Sequence, residues 1–136
     1  METEPTHQAE PAARKRVAVL GASADRSKFG NKCVRCYLDV GWDVVPVNPG
    51  ATLVEGLDAV PRLADVAGPI DRVAVYLPPP VTADLLEEMA ASDAGDVYFN
   101  PGSADRSILD RAIALGIRAI DGCAIVAVGR VPSMYP

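Results

Sequence analysis

The residues of this sequence best suited to chemistry lie in the stretch 15–30. An uninterrupted apolar run from Val17 to Leu20 ends at Gly21 in a small, polar loop, and apolar residues return at Phe29 with helical spacing. This pattern is typical of a buried parallel strand followed by a loop and a helix N-terminus, whose free backbone N–H groups favour an anion. The stretch therefore predicts a turn that holds the diphosphate of a nucleotide cofactor, with Ser23 donating to a phosphate oxygen.

Positive charge is concentrated around this turn. The 136-residue chain has a formal net charge of −5, yet residues 14–35 hold seven bases and one acid. Arg26, Lys28 and Lys32 are predicted to form a basic collar that attracts a small polyanion, whereas residues 14–16 are interpreted as solvated charges beside the first strand. The net negative charge argues against nonspecific binding of nucleic acid.

The sequence offers little for catalysis. Its only histidine, His7, lies in the polar, proline-bearing residues 1–13, which are predicted to be a disordered tail, so no Ser-His-Asp or Cys-His arrangement is expected. Cys33 and Cys36 form a C-x-x-C on the apolar face of the predicted first helix. A redox pair normally places its first cysteine at a helix N-terminus, so these two are interpreted as core residues. No catalytic residue and no metal site are predicted.

Two familiar nucleotide-binding patterns are missing. The dinucleotide fingerprint requires G-x-G-x-x-G and an acidic residue about twenty positions later, but Gly21 is followed by Ala-Ser-Ala and the second predicted strand ends in Val47-Asn48-Pro49. No Gly-Lys-Ser/Thr of a P-loop occurs either. A nicotinamide cofactor is therefore disfavoured, although it stays open as an alternative.

Strand and helix patterns alternate along the rest of the chain. Five strands are predicted at residues 17–20, 43–47, 70–77, 96–99 and 117–121, with intervening helices over residues 28–40, after Thr82 and after Ser103. This alternation predicts one Rossmann-like, doubly wound α/β domain over residues 14–136, with a mostly parallel five-stranded sheet in a three-layer αβα arrangement. The predicted strand order is 3-2-1-4-5, which places the ligand at the carboxyl edge between strands one and four.

Four loops should meet at that edge, at residues 21–30, 48–50, 77–81 and 100–103. No apolar run approaches the roughly 18 residues that a membrane span needs, and the N-terminal residues lack the layout of a signal peptide. The protein is therefore expected to be cytoplasmic and to make no contact with membranes.

Several motifs resemble one known family. They are Val-Ala-Val-Leu-Gly-Ala-Ser at 17–23, Lys-Phe-Gly at 28–30, Val-Val-Pro-Val-Asn-Pro at 44–49 and Tyr-Leu-Pro-Pro-Pro at 76–80. In this order they resemble the small stand-alone CoA-binding proteins, which are similar to the CoA-binding domain of the succinyl-CoA synthetase alpha subunit and of NDP-forming acyl-CoA synthetases. The resemblance covers about residues 15–125.

The resemblance implies a role for each matching position. Gly21, Ala22 and Ser23 would wrap the diphosphate of CoA, and Lys28 would face phosphate groups. The remaining positions border the adenosine end (Asn48, Pro49), form the opposite wall (Tyr76, Leu77, Pro78, Pro79) or lie near the pantetheine path (Asn100, Gly102).

The resemblance also implies that the chain binds CoA or a short acyl-CoA as a non-catalytic carrier, sensor or regulator. Small relatives often carry Arg-Cys near the last strand, where this chain has Gly122-Cys123, and the synthetases phosphorylate a histidine from a second domain. Ligase activity is therefore not expected. The alternatives are an NAD(P)-binding or redox enzyme and a non-catalytic interaction subunit; the partner would be a second copy of the chain or a separate ligase subunit.

Overall fold

The centre of the fold is a five-stranded sheet in which every pairing is parallel. The computed structural model describes residues 14–136, so the predicted tail and His7 lie outside the described residues. The sheet strands are β1 (Arg16–Leu20), β2 (Asp43–Val47), β5 (Arg72–Val75), β6 (Asp96–Phe99) and β7 (Ala119–Asp121). Two short strands, β3 (Leu53–Val54) and β4 (Leu57–Asp58), form a separate antiparallel pair.

The predicted strand order is wrong. The sheet runs β2-β1-β5-β6-β7. The third predicted strand, β5, therefore pairs with β1, whereas the predicted order would pair it with β2. The reason is Pro46 in β2. The carbonyl of Pro46 points away from β1 and accepts a hydrogen bond from Val60 N at 3.0 Å. Because the nitrogen and the carbonyl of one residue face the same side of a strand, the side of β2 that faces away from β1 lacks one N–H donor. A proline of this kind is confined to edge strands because a full neighbour would lack a donor. The strand order therefore reverses between β1 and β5, and not between the first and fourth predicted strands, which are β1 and β6.

Helices cover both faces of the sheet, which confirms the predicted three-layer α/β class. Helix α1 (Phe29–Asp39) lies on one face, whereas α2 (Pro79–Asp84), α3 (Leu86–Ala91) and α4 (Arg106–Ala114) lie on the other. Helix α2 begins before Thr82 because prolines fit the first turn of a helix, where no amide hydrogen bond is lost. Among residues 14–136, no helix has the length and apolar character of a membrane span.

Alternating strand residues build two cores. Ala18, Leu20 and Val75 pack towards α2, α3 and α4, while Val17 and Val19 pack towards α1. This follows from the period of two along a strand. The α1 face is completed by the C-terminal segment 122–136, which contains two 3₁₀ turns (Val126–Val128 and Pro132–Met134). Both faces of the sheet are thus packed, so the loops at its carboxyl edge extend from strand ends that the two cores hold in place.

Candidate functional site

Gly21 lies where the strand order reverses, directly after β1. Its φ is +85°, and a Cβ on Gly21 would overlap the carbonyl oxygen of Tyr76, which follows β5. A Cβ on Gly30, in the first turn of α1, would in turn overlap the carbonyl oxygen of Gly21. Three backbone segments therefore touch with no room for a side chain between them, and the N-terminus of α1 is held against the turn.

The loop between Gly21 and α1 is shaped by its own hydrogen bonds. The Ser23 hydroxyl oxygen accepts from Asp25 N at 3.0 Å, and the Ser23 carbonyl accepts from Asn31 Nδ2 at 2.8 Å. The hydroxyl and the backbone N–H of Ser27 both donate to Asp25, which lowers the pKa of that carboxyl. The loop is thus held in shape by its own hydrogen bonds, and the Ser23 hydroxyl keeps its own proton for donation.

Two of the three residues of the predicted basic collar have partners within the protein. Arg26 pairs with Glu55 at 3.3 Å, and Lys32 Nζ donates to the Tyr135 carbonyl at 2.9 Å. Within residues 14–136, the exposed side chain of Lys28 forms no ion pair or hydrogen bond, and it lies beside Gly21. The Glu55 carboxylate offsets the charge of Arg26, whereas Lys32 keeps its positive charge because a carbonyl is neutral.

A cavity of about 320 Å³, here called the large cavity, lies on the β2 side of Gly21. Its wall is almost wholly apolar, and Arg62 and Glu88 pair at 3.1 Å in its lining. Asn48 borders the large cavity, but its amide is already used: Nδ2 donates to the Ala22 carbonyl at 2.6 Å and Oδ1 accepts from Gly50 N at 2.8 Å. The lining comprises Leu20, Gly21, Val47, Asn48, Pro49, Pro61, Arg62, Leu63, Leu77, Val81, Leu85 and Glu88.

A second space of about 280 Å³, the cleft, lies on the other side of Gly21. It shares Gly21 and Leu77 with the large cavity, so the two spaces meet at the turn after β1. The cleft is lined by Gly21, Lys28, Phe29, Gly30, Tyr76, Leu77, Pro78, Pro101, Gly102 and Ser103. The predicted loops therefore do converge at the carboxyl edge of the sheet.

A third space of about 160 Å³, the terminal chamber, adjoins the cleft, with which it shares Phe29, Tyr76 and Pro101. Its other lining residues are Asn100, Cys123, Ile125 and Pro132. Asn100 holds the wall in place because Nδ2 donates to the Val75 carbonyl at 3.0 Å and Oδ1 accepts from Ala124 N at 2.8 Å. The far wall belongs to the C-terminal segment, for which the sequence predicts no regular element.

The predicted binding residues fall into two groups. Most of them line these three spaces: Gly21, Lys28, Asn48, Pro49, Tyr76, Leu77, Pro78, Asn100 and Gly102. Three do not: Ala22 is fully buried, Ser23 faces an open hollow beside Asn48, and Pro79 is the first residue of α2.

Sequence reasoning missed Phe29 as a lining residue. Its helical spacing with Cys33 and Cys36 predicts a core-facing side chain, yet 58% of Phe29 is exposed and it borders both the cleft and the terminal chamber. As the first residue of α1, it has no earlier helical turn to pack against. A large aromatic residue directly after a polar loop was the signal available for this placement.

The two cysteines of the C-x-x-C are fully buried within α1. Burial raises the pKa of both the Cys33 and the Cys36 thiol. A thiol attacks only as its thiolate, so a buried thiol with a raised pKa is a poor nucleophile. This environment fits the core interpretation and leaves the redox alternative without support. Residues 14–136 also contain no cluster of three metal-ligating side chains.

Thiol reactivity tests this assignment. In the native protein, we expect a disulfide reagent at about pH 8 to modify Cys123, which is partly exposed. Cys33 and Cys36 should stay unmodified as long as the protein remains folded, because both are buried. After denaturation all three cysteines of the chain should react. Mass spectrometry of the labelled protein counts the modified thiols. Rapid native labelling of Cys33 or Cys36 would contradict the burial argument.

Comparison with known proteins gives a consistent result. Residues 15–129 match the family described as CoA binding domain. The Bacillus subtilis (strain 168) protein called "Uncharacterized protein YneT" is 32% identical over 88 residues, which span 65% of this chain and 65% of that protein. The match thus covers just under two thirds of that relative's length.

Solved structures share the architecture. The Thermus thermophilus protein "cell-free ID.343" aligns with a TM-score of 0.75 and 32% identity, over 83% of this chain and 87% of that one. A dinucleotide-forming acetyl-coenzyme A synthetase of Ca. Korarchaeum cryptofilum aligns with a TM-score of 0.70 and 24% identity, over 81% of this chain but only 26% of that one. At that identity, the second comparison shows the fold alone.

Proposed function

Because the chain belongs to the CoA binding domain family, which it matches over residues 15–129, we propose that it binds coenzyme A or a short acyl-CoA along the large cavity, the cleft and the terminal chamber. The observation that carries this proposal is that neighbouring spaces share lining residues and so lie side by side along the carboxyl edge of the sheet. Gly21 and Leu77 border the first two spaces, and Phe29, Tyr76 and Pro101 border the last two. A long, jointed ligand with a polyanionic middle suits such a path.

The diphosphate is assigned to the turn at Gly21, Ala22 and Ser23. The close approach of Gly30 to the Gly21 carbonyl holds the N-terminus of α1 against this turn, and a helix N-terminus offers free backbone amides to an anion. Lys28 adds an exposed cation that forms no ion pair within residues 14–136, and its charge also acts on the nearby Asp25 carboxylate. Ser23 lines the open hollow beside Asn48, and its hydroxyl, which accepts from Asp25 N, keeps its own proton for a phosphate oxygen that reaches this side of the turn.

The adenosine end is assigned to the large cavity. Ligand pockets are mostly apolar with a few placed polar groups, and this cavity has apolar walls with Arg62 and Glu88 in its lining. Asn48 and Pro49 form one side and Leu77 the opposite one. The pantetheine arm then follows the cleft past Pro78 and Gly102.

We assign the protein a binding role as a carrier, sensor or regulator. Residues 14–136 contain no histidine, and the buried thiols of α1 are poor nucleophiles. Asn48 disfavours the NAD(P) alternative. An NAD-binding site would have a carboxylate for the ribose hydroxyls at this position, whereas this chain has the Asn48 amide, which already donates to the Ala22 carbonyl.

Calorimetry with the purified full chain tests the proposal. CoA should bind measurably, dephospho-CoA more weakly and NAD weakest, since each step removes a group that the path accommodates. Tight NAD binding with no CoA binding would overturn the proposal.

Lys28 gives a second test. The Lys28→Ala variant should bind CoA about tenfold more weakly, because one charge-assisted contact to phosphate is lost, and its affinity should depend less on salt. The control is Lys15→Ala, which removes the same charge at the opposite edge of the sheet, where Lys15 lies 5.6 Å from the centre of the Trp42 ring. Equal affinities in the two variants would remove Lys28 from the phosphate site.

A further inference from the structure

We propose that the terminal chamber receives the acyl group of a short-chain, uncharged acyl-CoA, so that the protein distinguishes acyl-CoA thioesters by length and charge. This inference rests on the proposed function, since it concerns the far end of the same ligand. The chamber adjoins the cleft, with which it shares the wall residues Phe29, Tyr76 and Pro101. A pantetheine arm that follows the cleft therefore delivers its thioester to the chamber entrance.

The chamber is apolar and carries no charge. Its accessible wall is almost entirely carbon, and none of its lining residues is a lysine, arginine, aspartate or glutamate. Both polar atoms of the Asn100 amide are already used, on Val75 and Ala124. The Tyr76 hydroxyl is buried, and burial raises its pKa, so it stays neutral.

Water is poorly accommodated in such a space. A buried water needs two to four polar partners, and an apolar cavity without them stays dry. An acyl chain that enters the chamber therefore removes apolar surface from solvent without displacing bound water. A terminal carboxylate in the same place would lose its hydration and gain no partner, which is strongly unfavourable.

The size of the chamber sets a limit on chain length. A dry apolar cavity of about 150 Å³ holds a ligand of about six carbons, such as benzene, and this chamber measures about 160 Å³. Ile125 and Pro132 of the C-terminal segment form part of its wall. That wall is tied to α1, because the Tyr37 hydroxyl donates to the Ala124 carbonyl at 2.6 Å and Lys32 bonds to Tyr135. Longer chains should therefore meet a fixed barrier.

Calorimetry with a series of thioesters tests the inference on the full chain. Affinity should rise about fourfold for each buried methylene, which makes butyryl-CoA about 15-fold tighter than acetyl-CoA. Octanoyl-CoA should bind more weakly than butyryl-CoA because it exceeds the chamber. Succinyl-CoA has the same number of acyl carbons as butyryl-CoA but a terminal carboxylate, and we expect it to bind at least about tenfold more weakly than butyryl-CoA.

A variant that fills the chamber provides the structural control. Cys123→Leu places extra carbon in the chamber and should reduce the ratio of butyryl-CoA to acetyl-CoA affinity to below about threefold. Val126→Leu enlarges a 56% exposed residue of the same segment that does not line the chamber, and it should keep the wild-type ratio. If Cys123→Leu does not fold, the ligand series on the wild-type protein decides by itself.

The outcomes separate the two proposals. If CoA binds and all thioesters bind within about twofold of it, the chamber is not an acyl site, although the proposed function stands. If succinyl-CoA binds as tightly as butyryl-CoA, the apolar assignment of the chamber is wrong. If neither CoA nor any thioester binds, both proposals are overturned.

Discussion

Replacing Gly21 by Ala should reduce CoA binding at least about 100-fold and lower the free energy of unfolding by about 2–5 kcal/mol. The added Cβ would overlap the carbonyl oxygen of Tyr76, which is backbone and cannot rotate away. Leu20 and Val75, the neighbouring residues, are paired in the β1–β5 register. The strand ends must therefore separate at the point where the large cavity meets the cleft.

Gly41→Ala is the matched control for this prediction. Gly41 has nearly the same backbone conformation, with φ of +89° against +85° at Gly21, but nothing lies within 4 Å of the position of its Cβ. It should show only the strain of a positive φ, about 1 kcal/mol, and unchanged affinity. Denaturant titration and calorimetry measure both quantities. If the two variants behave alike, the close approach at Gly21 does not matter for the fold or the site.

Replacing Asn100 by Ala should lower the free energy of unfolding by about 2–4 kcal/mol. Asn100 is only 3% exposed, and its amide joins the end of β5 to the C-terminal segment through Val75 and Ala124. The variant leaves the N–H of the fully buried Ala124 without its acceptor. Hydrogen exchange should accelerate in residues 122–128, because the wall of the terminal chamber is no longer held.

The Asn100→Asp variant separates hydrogen bonding from cavity formation. A protonated Asp can still donate to Val75 and accept from Ala124, whereas the ionised form cannot donate. Burial should raise the pKa of this carboxyl in the folded state above its unfolded value. Its stabilising contribution is then present at low pH and is lost as the pH rises through the folded pKa. Relative to the wild type, the variant should be less destabilised at pH 4 than at pH 7; an equal difference at both would rule out this role for Asn100.

Local patterns in the sequence predict most of the elements. The strand Asp96–Phe99 has the predicted bounds because it lies between Gly95 and the Asn-Pro-Gly turn, and α1 is close to the predicted 28–40. The turn at Gly21 is recognisable because an apolar run ends in a glycine and small residues. Such features depend on neighbours within a few positions, so periodicity and turn chemistry reveal them.

The strand order depended on information of another kind. Both candidate orders connect the same strands by right-handed crossovers, so the alternation of elements does not distinguish them. Pro46 was the one local signal, because a strand with an outward-facing proline belongs at the edge of the sheet. Once β2 is placed at the edge, β5 must pair with β1, and the turn at Gly21 lies at the reversal point.

The sequence by itself determined the alternation of elements, the phosphate-sized turn after β1 and the family resemblance, since all three are carried by short motifs. Only the tertiary structure decided which cations have partners, because Arg26 pairs with the Glu55 carboxylate and Lys32 donates to the Tyr135 carbonyl, and both partners lie far away along the chain. It also decided that Cys123, Ile125 and Pro132 line a chamber beside the same cleft. Such contacts join segments that are far apart in the sequence, and periodicity or turn motifs, which depend on near neighbours, do not predict which distant segments will be in contact.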